Sequence, residues 1–92
     1  MHDLTGFQRD LLYCIPEVEE PYGKGIKRAL ESYRGIEVND GRLYSNLNTL
    51  VEKDYVAKGS IDSRTNSYKL TAKARERLVE RQQWEAERLP KQ

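Results

Sequence analysis

The apolar residues change their spacing near residue 54, and this change limits the possible folds most strongly. Four apolar residues cover one arc of a helix between residues 39 and 54: Leu43, Leu47, Leu50 and Val51. From Tyr55 to Ile61 apolar and polar residues alternate, and a second short β-type run begins at Ser67 after the turn residues DSRTN. The chain is therefore predicted to pass from a helix into a β-hairpin at residues 55–70, with a polar tip at residues 61–67.

Two further helices are predicted before this segment. The first covers residues 6–15, because Thr5 and Gln8 form a capping box at its start and Pro16 is expected to end it. The second begins near Pro21, which suits a first helical turn, and ends at Gly35. Its apolar face is predicted to contain Tyr22, Ile26, Ala29, Leu30 and Tyr33.

The third and fourth helices also have recognisable caps. Asn39 is a good N-cap for the third helix, and Thr71 is one for a final helix of about 18 residues. The apolar stripe of the final helix is interrupted by Arg81, Gln82 and Glu85. Because this stripe is too thin for a self-sufficient coiled coil, the helix is expected to pack against something else.

Composition indicates one small domain that carries its positive charge centrally. Of the 92 residues 37% are hydrophobic, so the core must be small, and sharing it with a second copy is a reasonable expectation. Residues 40–75 contain seven Lys or Arg against four Asp or Glu, a balance of +3, whereas residues 1–39 have a balance of −2. Such an asymmetry can steer a polyanion.

The sequence also favours some cellular settings over others. Cys14 is the single cysteine, which excludes an intrachain disulfide and fits a reducing interior. The apolar runs are too short for a membrane span, and no signal peptide follows Met1. A cytoplasmic protein with no membrane partner is expected.

The residues expected of an enzyme or a metal site are lacking. His2 is the only histidine, and no His/Cys cluster suggests a zinc site. Gly23 and Gly25 are too few for a phosphate-binding loop, and no nucleophile has a base at a recognisable spacing. We therefore predict no catalytic residue, no metal and no cofactor.

Three helices, a β-hairpin and a last helix are the element order of a winged helix-turn-helix with an added helix, an α+β fold. In that fold the third helix enters the DNA major groove, and the hairpin, or wing, reaches the adjacent backbone or minor groove. The outer face of the third helix contains short hydrogen-bonding side chains in place of better helix formers. Arg, Asn, Ser and Thr are types that can bind base edges or phosphates.

The candidate DNA-binding residues come from the second helix, the third helix and the wing. They are Lys24, Arg42, Tyr44, Ser45, Asn46, Thr49, Lys53, Arg64, Thr65 and Asn66. The simpler alternative is that the third-helix residues are exposed polar positions tolerated on a helix that is buried on its other face. For Tyr44 the alternative is an aromatic residue at the edge of the core.

The stretch GRLYSNLNTLVEKDYV, followed by RTNSYKLT, resembles the PadR family of transcriptional regulators. The pattern of that family is G-x-L-Y-P-x-L-x-x-L-x-x-x-G-hydrophobic with a wing ending Y-x-L-T, and the chain is most similar to its short repressors from archaea and their viruses. The resemblance covers about residues 5–80. It implies operator binding by a homodimer, with Tyr44 as a phosphate contact and Arg64 as a basic wing residue.

Three positions depart from the family pattern. Ser45 replaces the usual Pro, so the helix start gains either freedom or a base contact. Asp54 replaces a helix-ending Gly, although Asp tolerates a left-handed cap. Ala74 replaces a common Gly in the last helix. The first departure puts direct transfer of base contacts in doubt.

The resemblance also implies that the last helix, with help from the first, holds the dimer. The predicted division is a DNA-binding domain at residues 1–70 and a dimerisation helix at residues 71–92. The predicted dimerisation residues are Phe7, Leu11, Leu78, Val79, Trp84, Ala86 and Leu89. Two alternatives stay open: a sensor that binds an aromatic small-molecule effector beside Trp84, and a winged helix that binds only protein.

Overall fold

The structure is a computed structural model that describes residues 1–18 and 22–89, apart from the side chain of residue 17. Its helices are α1 (Gly6–Glu17), α2 (Gly23–Arg34), α3 (Asp40–Glu52) and α4 (Ala72–Arg88). Strands β1 (Val56–Ser60) and β2 (Asn66–Leu70) pair antiparallel, with Val56 opposite Leu70 and Ser60 opposite Asn66. The predicted α+β winged helix-turn-helix is confirmed.

The helix ends follow their capping residues. The Thr5 side chain accepts a hydrogen bond from the Gln8 backbone N–H while the Gln8 side chain accepts one from Thr5 N–H, which is the predicted capping box. The side chains of Asn39 and Thr71 cap α3 and α4 by accepting hydrogen bonds from the backbone N–H groups of Arg42 and Ala74. Gly35 ends α2 at a φ of 70°, and Asp54 follows α3 at a φ of 65°. Asp54 thus takes the left-handed conformation for which the family pattern has glycine.

Two boundaries differ from the sequence prediction. The prediction that Pro16 ends α1 is wrong, since the helix continues to Glu17 with Pro16 inside its last turn. A proline there cannot donate a helical hydrogen bond, and the helix ends one residue later. Tyr22 is the N-cap of α2 and pairs with Ser67 of β2 in an isolated β-bridge, so it does not belong to the helical face. The predicted role of Pro21 lies outside the described residues.

One hydrophobic core joins all six elements. Its fully buried large side chains lie on the first three helices and the first strand: Leu11, Leu12, Ile26, Leu30, Leu43, Leu47, Leu50 and Val56. Tyr55, Tyr68 and Leu70 extend the core beneath the wing. Ala74 and Leu78 bring the first half of α4 into the same core. The leucine stripe therefore fixes α3 on the body and leaves its opposite face outward.

Within the described ranges no helix is both long and apolar enough to cross a membrane. In the same ranges no three His, Cys, Asp or Glu residues gather where they could hold a metal ion.

Candidate nucleic-acid interface

The outward strip of α3 lies opposite its buried leucines. Ser45, Asn48 and Glu52 are exposed there. Thr49 is half-buried, and its hydroxyl donates a 3.1 Å hydrogen bond to the backbone carbonyl of Ser45. Ser45, at the position where the family pattern has proline, thus lies on the outward strip.

One flank of α3 contacts α1. The Arg42 guanidinium lies 3.9 Å from the centroid of the Phe7 ring, and Asn46 accepts a 3.0 Å hydrogen bond from the Gln8 side chain. The Asn46 amide also donates a 2.7 Å bond to the carbonyl of Arg42. Asn46 therefore forms two hydrogen bonds within the protein, and one N–H and one lone pair of its Oδ1 atom remain for a further partner.

Lys53 lies further along the same flank, against the N-terminal segment. Its ammonium donates to the backbone carbonyl of Asp3 at 2.9 Å and lies 3.5 Å from the Asp3 carboxylate. Partial burial acts to raise the pKa of Asp3, but hydrogen bonds from its own backbone and from Tyr55, and the Lys53 charge, hold it below its ordinary value. Lys53 thus forms an ion pair with Asp3, whereas Lys24 and Arg64, on the other flank, form none within the described residues.

The opposite flank of α3 faces the start of α2 and the wing. These three elements enclose a cavity of about 450 Å³. Its lining residues are Tyr22, Gly23, Lys24, Tyr44, Arg64, Thr65, Asn66 and Tyr68. Five of the ten predicted DNA-binding residues, from three separate elements, therefore meet at one opening.

The charge at this cavity is positive. Within residues 1–18 and 22–89, neither Lys24 nor Arg64 forms an ion pair. Burial raises the pKa of Tyr68, as does its proximity to Tyr44, so its hydroxyl stays protonated at neutral pH and able to donate. Cationic and hydroxyl donors around one opening suit a phosphate group.

The spacing of α2 and α3 is held by an ion pair. Lys27 of α2 lies 2.8 Å from the carboxylate of Asp40, the first residue of α3. The hydrogen bond to Asp40 raises the pKa of Lys27, so the Lys27 ammonium stays charged throughout the physiological range. This contact places the start of α3 beside α2.

The wing tip is ordered by Asp62. Its carboxylate accepts 2.8 Å hydrogen bonds from the backbone N–H groups of Arg64 and Thr65. The Ser60 hydroxyl donates to the carbonyl of Asp62 at 2.8 Å. Such a side-chain turn fixes the direction in which the following residues leave the tip. The backbone of Arg64 therefore has a defined position, from which its side chain extends.

The predicted dimerisation residues divide into two groups. Phe7, Leu11 and Leu78 lie in the core of the single chain, and Leu11 has no exposed surface. Leu11 is fully covered by its own chain, and its contact with a partner stays a prediction. The other residues are exposed on α4: Val79, Trp84, Ala86 and Leu89. The guanidinium groups of Arg81 and Arg88 lie 4.6 and 4.4 Å from the Trp84 ring.

Two contacting residues were missed by the sequence prediction of the interface. Gln8 was identified only as a capping residue, although it also binds Asn46 across the α1–α3 contact. Gly23 was considered only in excluding a phosphate-binding loop, although it lies against Tyr44. Both contacts join residues more than twenty positions apart, and a single sequence carries no signal for such pairs.

Comparison with known proteins supplies the family. The model of the transcriptional regulator PadR-like family matches residues 11–80, more than half of the chain. RosR of H. salinarum is 44% identical over 98% of this chain and 81% of its own, with a TM-score of 0.90. The complex described as hsRosR-S1 is 46% identical over 95% of this chain and 77% of that chain, with a TM-score of 0.89. No match was found among the curated proteins.

A more distant structure shares the fold alone. The adhesin competence repressor AdcR of Streptococcus pyogenes is 20% identical over 95% of this chain and 60% of that chain, with a TM-score of 0.70. The family match and the similarity to RosR agree with the winged-helix architecture and the arrangement of α3 and the wing. The chain belongs to the PadR-like family and is a DNA-binding transcriptional regulator.

Proposed function

We propose that the chain is a homodimeric repressor that reads an operator with α3 and grips the backbone with the wing. The observation that carries the proposal is the cavity shared by α2, α3 and the wing, where Lys24, Tyr44 and Arg64 come together. In this arrangement the outward strip of α3 enters the major groove while the cavity faces the adjoining phosphates.

The residues of α3 have different roles in this proposal. Ser45, at the start of the outward strip, contacts base edges. Arg42 and Asn46 reach the same groove from the α1 flank, and Arg42 does so from its position over Phe7. The Thr49 hydroxyl donates a hydrogen bond to the carbonyl of Ser45. Lys53 contributes to the positive potential near the end of α3. Thr65 and Asn66 accompany Arg64 on the backbone.

The dimer is proposed to form through the second half of α4. Val79, Trp84 and Leu89 are exposed apolar residues on a helix whose buried residues end at Leu78. A two-fold dimer would present two α3 helices about one turn of DNA apart, roughly 34 Å. Sedimentation equilibrium of the full chain at micromolar concentration should give twice the monomer mass, and a monomer there would contradict this part.

Operator binding is tested by titrating the chain against duplexes from upstream of its own gene. At physiological salt the protein should bind the target duplex at least about a thousandfold more tightly than a scrambled duplex. That ratio is the lower end of the usual range for specific DNA-binding proteins. Arg42→Ala should weaken the target more than the scrambled duplex, because a base contact carries the sequence preference. Equal affinity for both duplexes would contradict sequence-specific reading.

A second candidate function is effector binding at Trp84. The ring is about half exposed and has two guanidinium groups within 4.6 Å of its centroid, an arrangement that suits a planar anionic ligand. The single tryptophan gives a direct readout, since a bound planar ligand should quench its fluorescence. Unchanged fluorescence across a diverse panel of planar acids would contradict effector binding there.

A further inference from the structure

Gly23 of α2 lies directly against Tyr44 of the recognition helix α3. Gly23 is the first residue of α2 and is buried. A Cβ atom at this position would lie 2.6 Å from Cε1 and 2.7 Å from Cζ of Tyr44, and nearer still to its Oη. The tyrosine ring therefore occupies the space that a side chain at residue 23 would need.

The backbone itself does not require glycine at residue 23. Gly35 is the only glycine with a positive φ in the described part of the chain. Ala is better than Gly inside a helix by about 0.5–1 kcal/mol, so a glycine at a helix start carries a conformational cost. The steric reason for glycine here is the Tyr44 ring.

Gly6 offers an internal comparison. It is the first residue of α1, as Gly23 is of α2. A Cβ atom at Gly6 would meet nothing closer than the Arg9 guanidinium at 3.9 Å. Alanine therefore fits at the start of α1 and conflicts with Tyr44 at the start of α2.

The contact with Gly23 places the Tyr44 ring at the cavity between α2, α3 and the wing. With its ring against Gly23, Tyr44 lines the same cavity as Lys24 and Arg64. We infer that Gly23 is a positioning residue, whose missing side chain seats Tyr44 against α2 so that its hydroxyl joins these two cations at a DNA phosphate. This inference rests on the proposed function, in which that cavity faces the DNA backbone.

An alanine at residue 23 would move the ring and leave the core in place. The conflicting atoms belong to the far end of the Tyr44 side chain, which is 40% exposed and has solvent into which to rotate. The buried leucines that hold α3 to the body are separate from this contact. Gly23→Ala should therefore fold and carry Tyr44 in a displaced position.

The test is a double-mutant cycle on the affinity for a mixed-sequence duplex. Four proteins are compared at one salt concentration: wild type, Gly23→Ala, Tyr44→Ala and the double variant. Gly23→Ala and Tyr44→Ala should each weaken binding roughly tenfold for every protomer on the duplex, the effect of one charge-assisted hydrogen bond per protomer. The double variant should bind no more weakly than Tyr44→Ala, because Gly23 acts through that ring.

Gly6→Ala is the control and should bind as the wild type does. Circular dichroism melting establishes that each variant is folded, and the double variant lacks the steric conflict altogether. The inference is overturned if Gly23→Ala binds as wild type, if it unfolds, if Tyr44→Ala has no effect, or if the two losses add in full. A wild type that fails to bind any duplex would instead contradict the proposed function, so the two failures are distinguishable.

Discussion

Asn46 and Tyr44 lie on opposite flanks of α3, and each is held by a residue of another helix. Gln8 donates to Asn46 through its amide nitrogen while its amide oxygen accepts from the Thr5 backbone. One side chain thus completes the cap of α1 and fastens the recognition helix. Because Gln8 is buried, breaking either bond would leave a polar group without its partner.

Gln8→Glu separates these two roles of residue 8. A glutamate can still accept from Thr5 but has no N–H to donate to Asn46, so the free energy of unfolding should fall by about 1–3 kcal/mol. Burial should raise the pKa of the new carboxyl above its unfolded value, about 4.3. The loss should therefore be smallest below that value, where the carboxyl is protonated, and grow as the pH rises through the folded pKa.

Urea unfolding at several pH values measures this effect. Gln82→Glu makes the same chemical change on the exposed surface of α4 and is the matched control. If Gln8→Glu behaves as Gln82→Glu does at neutral pH, the Gln8–Asn46 bond does not hold α3.

The wing is the element whose working shape depends most on a single side chain. Asp62 organises the tip through two backbone hydrogen bonds, and Arg64 follows directly. The N–H groups of Arg64 and Thr65 hold the pKa of the Asp62 carboxyl below its ordinary value. A lowered folded pKa means that this stabilisation is complete above the unfolded value, about 3.9, and is lost as the pH falls through the folded pKa.

Asp62→Ala should loosen the wing tip at neutral pH, where the carboxylate of the wild type holds both backbone N–H groups. The amide protons of Arg64 and Thr65 should exchange faster with solvent, because their hydrogen bonds to Asp62 are lost. Duplex affinity should fall a few-fold, because the backbone of Arg64 no longer has a fixed position. Asp62→Asn is the control, since its amide oxygen can accept the same two bonds without a titrating charge. Unchanged protection in Asp62→Ala would show that the tip is ordered by other contacts.

At the scale of the whole molecule, the core and the interface differ in how far sequence predicts them. The element order and the buried leucines of α3 follow from local periodicity and caps, which act over a few residues. The contacts of α3 with α1, α2 and the wing do not follow from local sequence, because they form only when these distant segments pack against the same helix. Residue type alone therefore predicts that Asn46 binds DNA, without indicating its bonds to Gln8 and Arg42.

The same distinction explains the predicted dimerisation residues. Helical spacing identifies Leu11 and Trp84 alike as apolar positions, but only packing shows that one is buried and the other half exposed. Among the described residues of α4 beyond Leu78, none is fully buried by its own chain. This leaves α4 as the surface proposed for the second copy.

The central claim is that α2, α3 and the wing form one face that grips DNA phosphates. The most direct test is the salt dependence of duplex affinity for wild type and for Lys24→Ala/Arg64→Ala. Each phosphate contact contributes about 0.9 to the log–log slope, so the double variant should lower the slope by about 1.8 for each protomer, or about 3.6 for the dimer on two half-sites. Arg75→Ala/Arg77→Ala removes the same charge from the first half of α4, outside the proposed dimer surface, and should leave the slope near its wild-type value. A slope unchanged by Lys24→Ala/Arg64→Ala, or duplex binding that is independent of salt, would contradict the account.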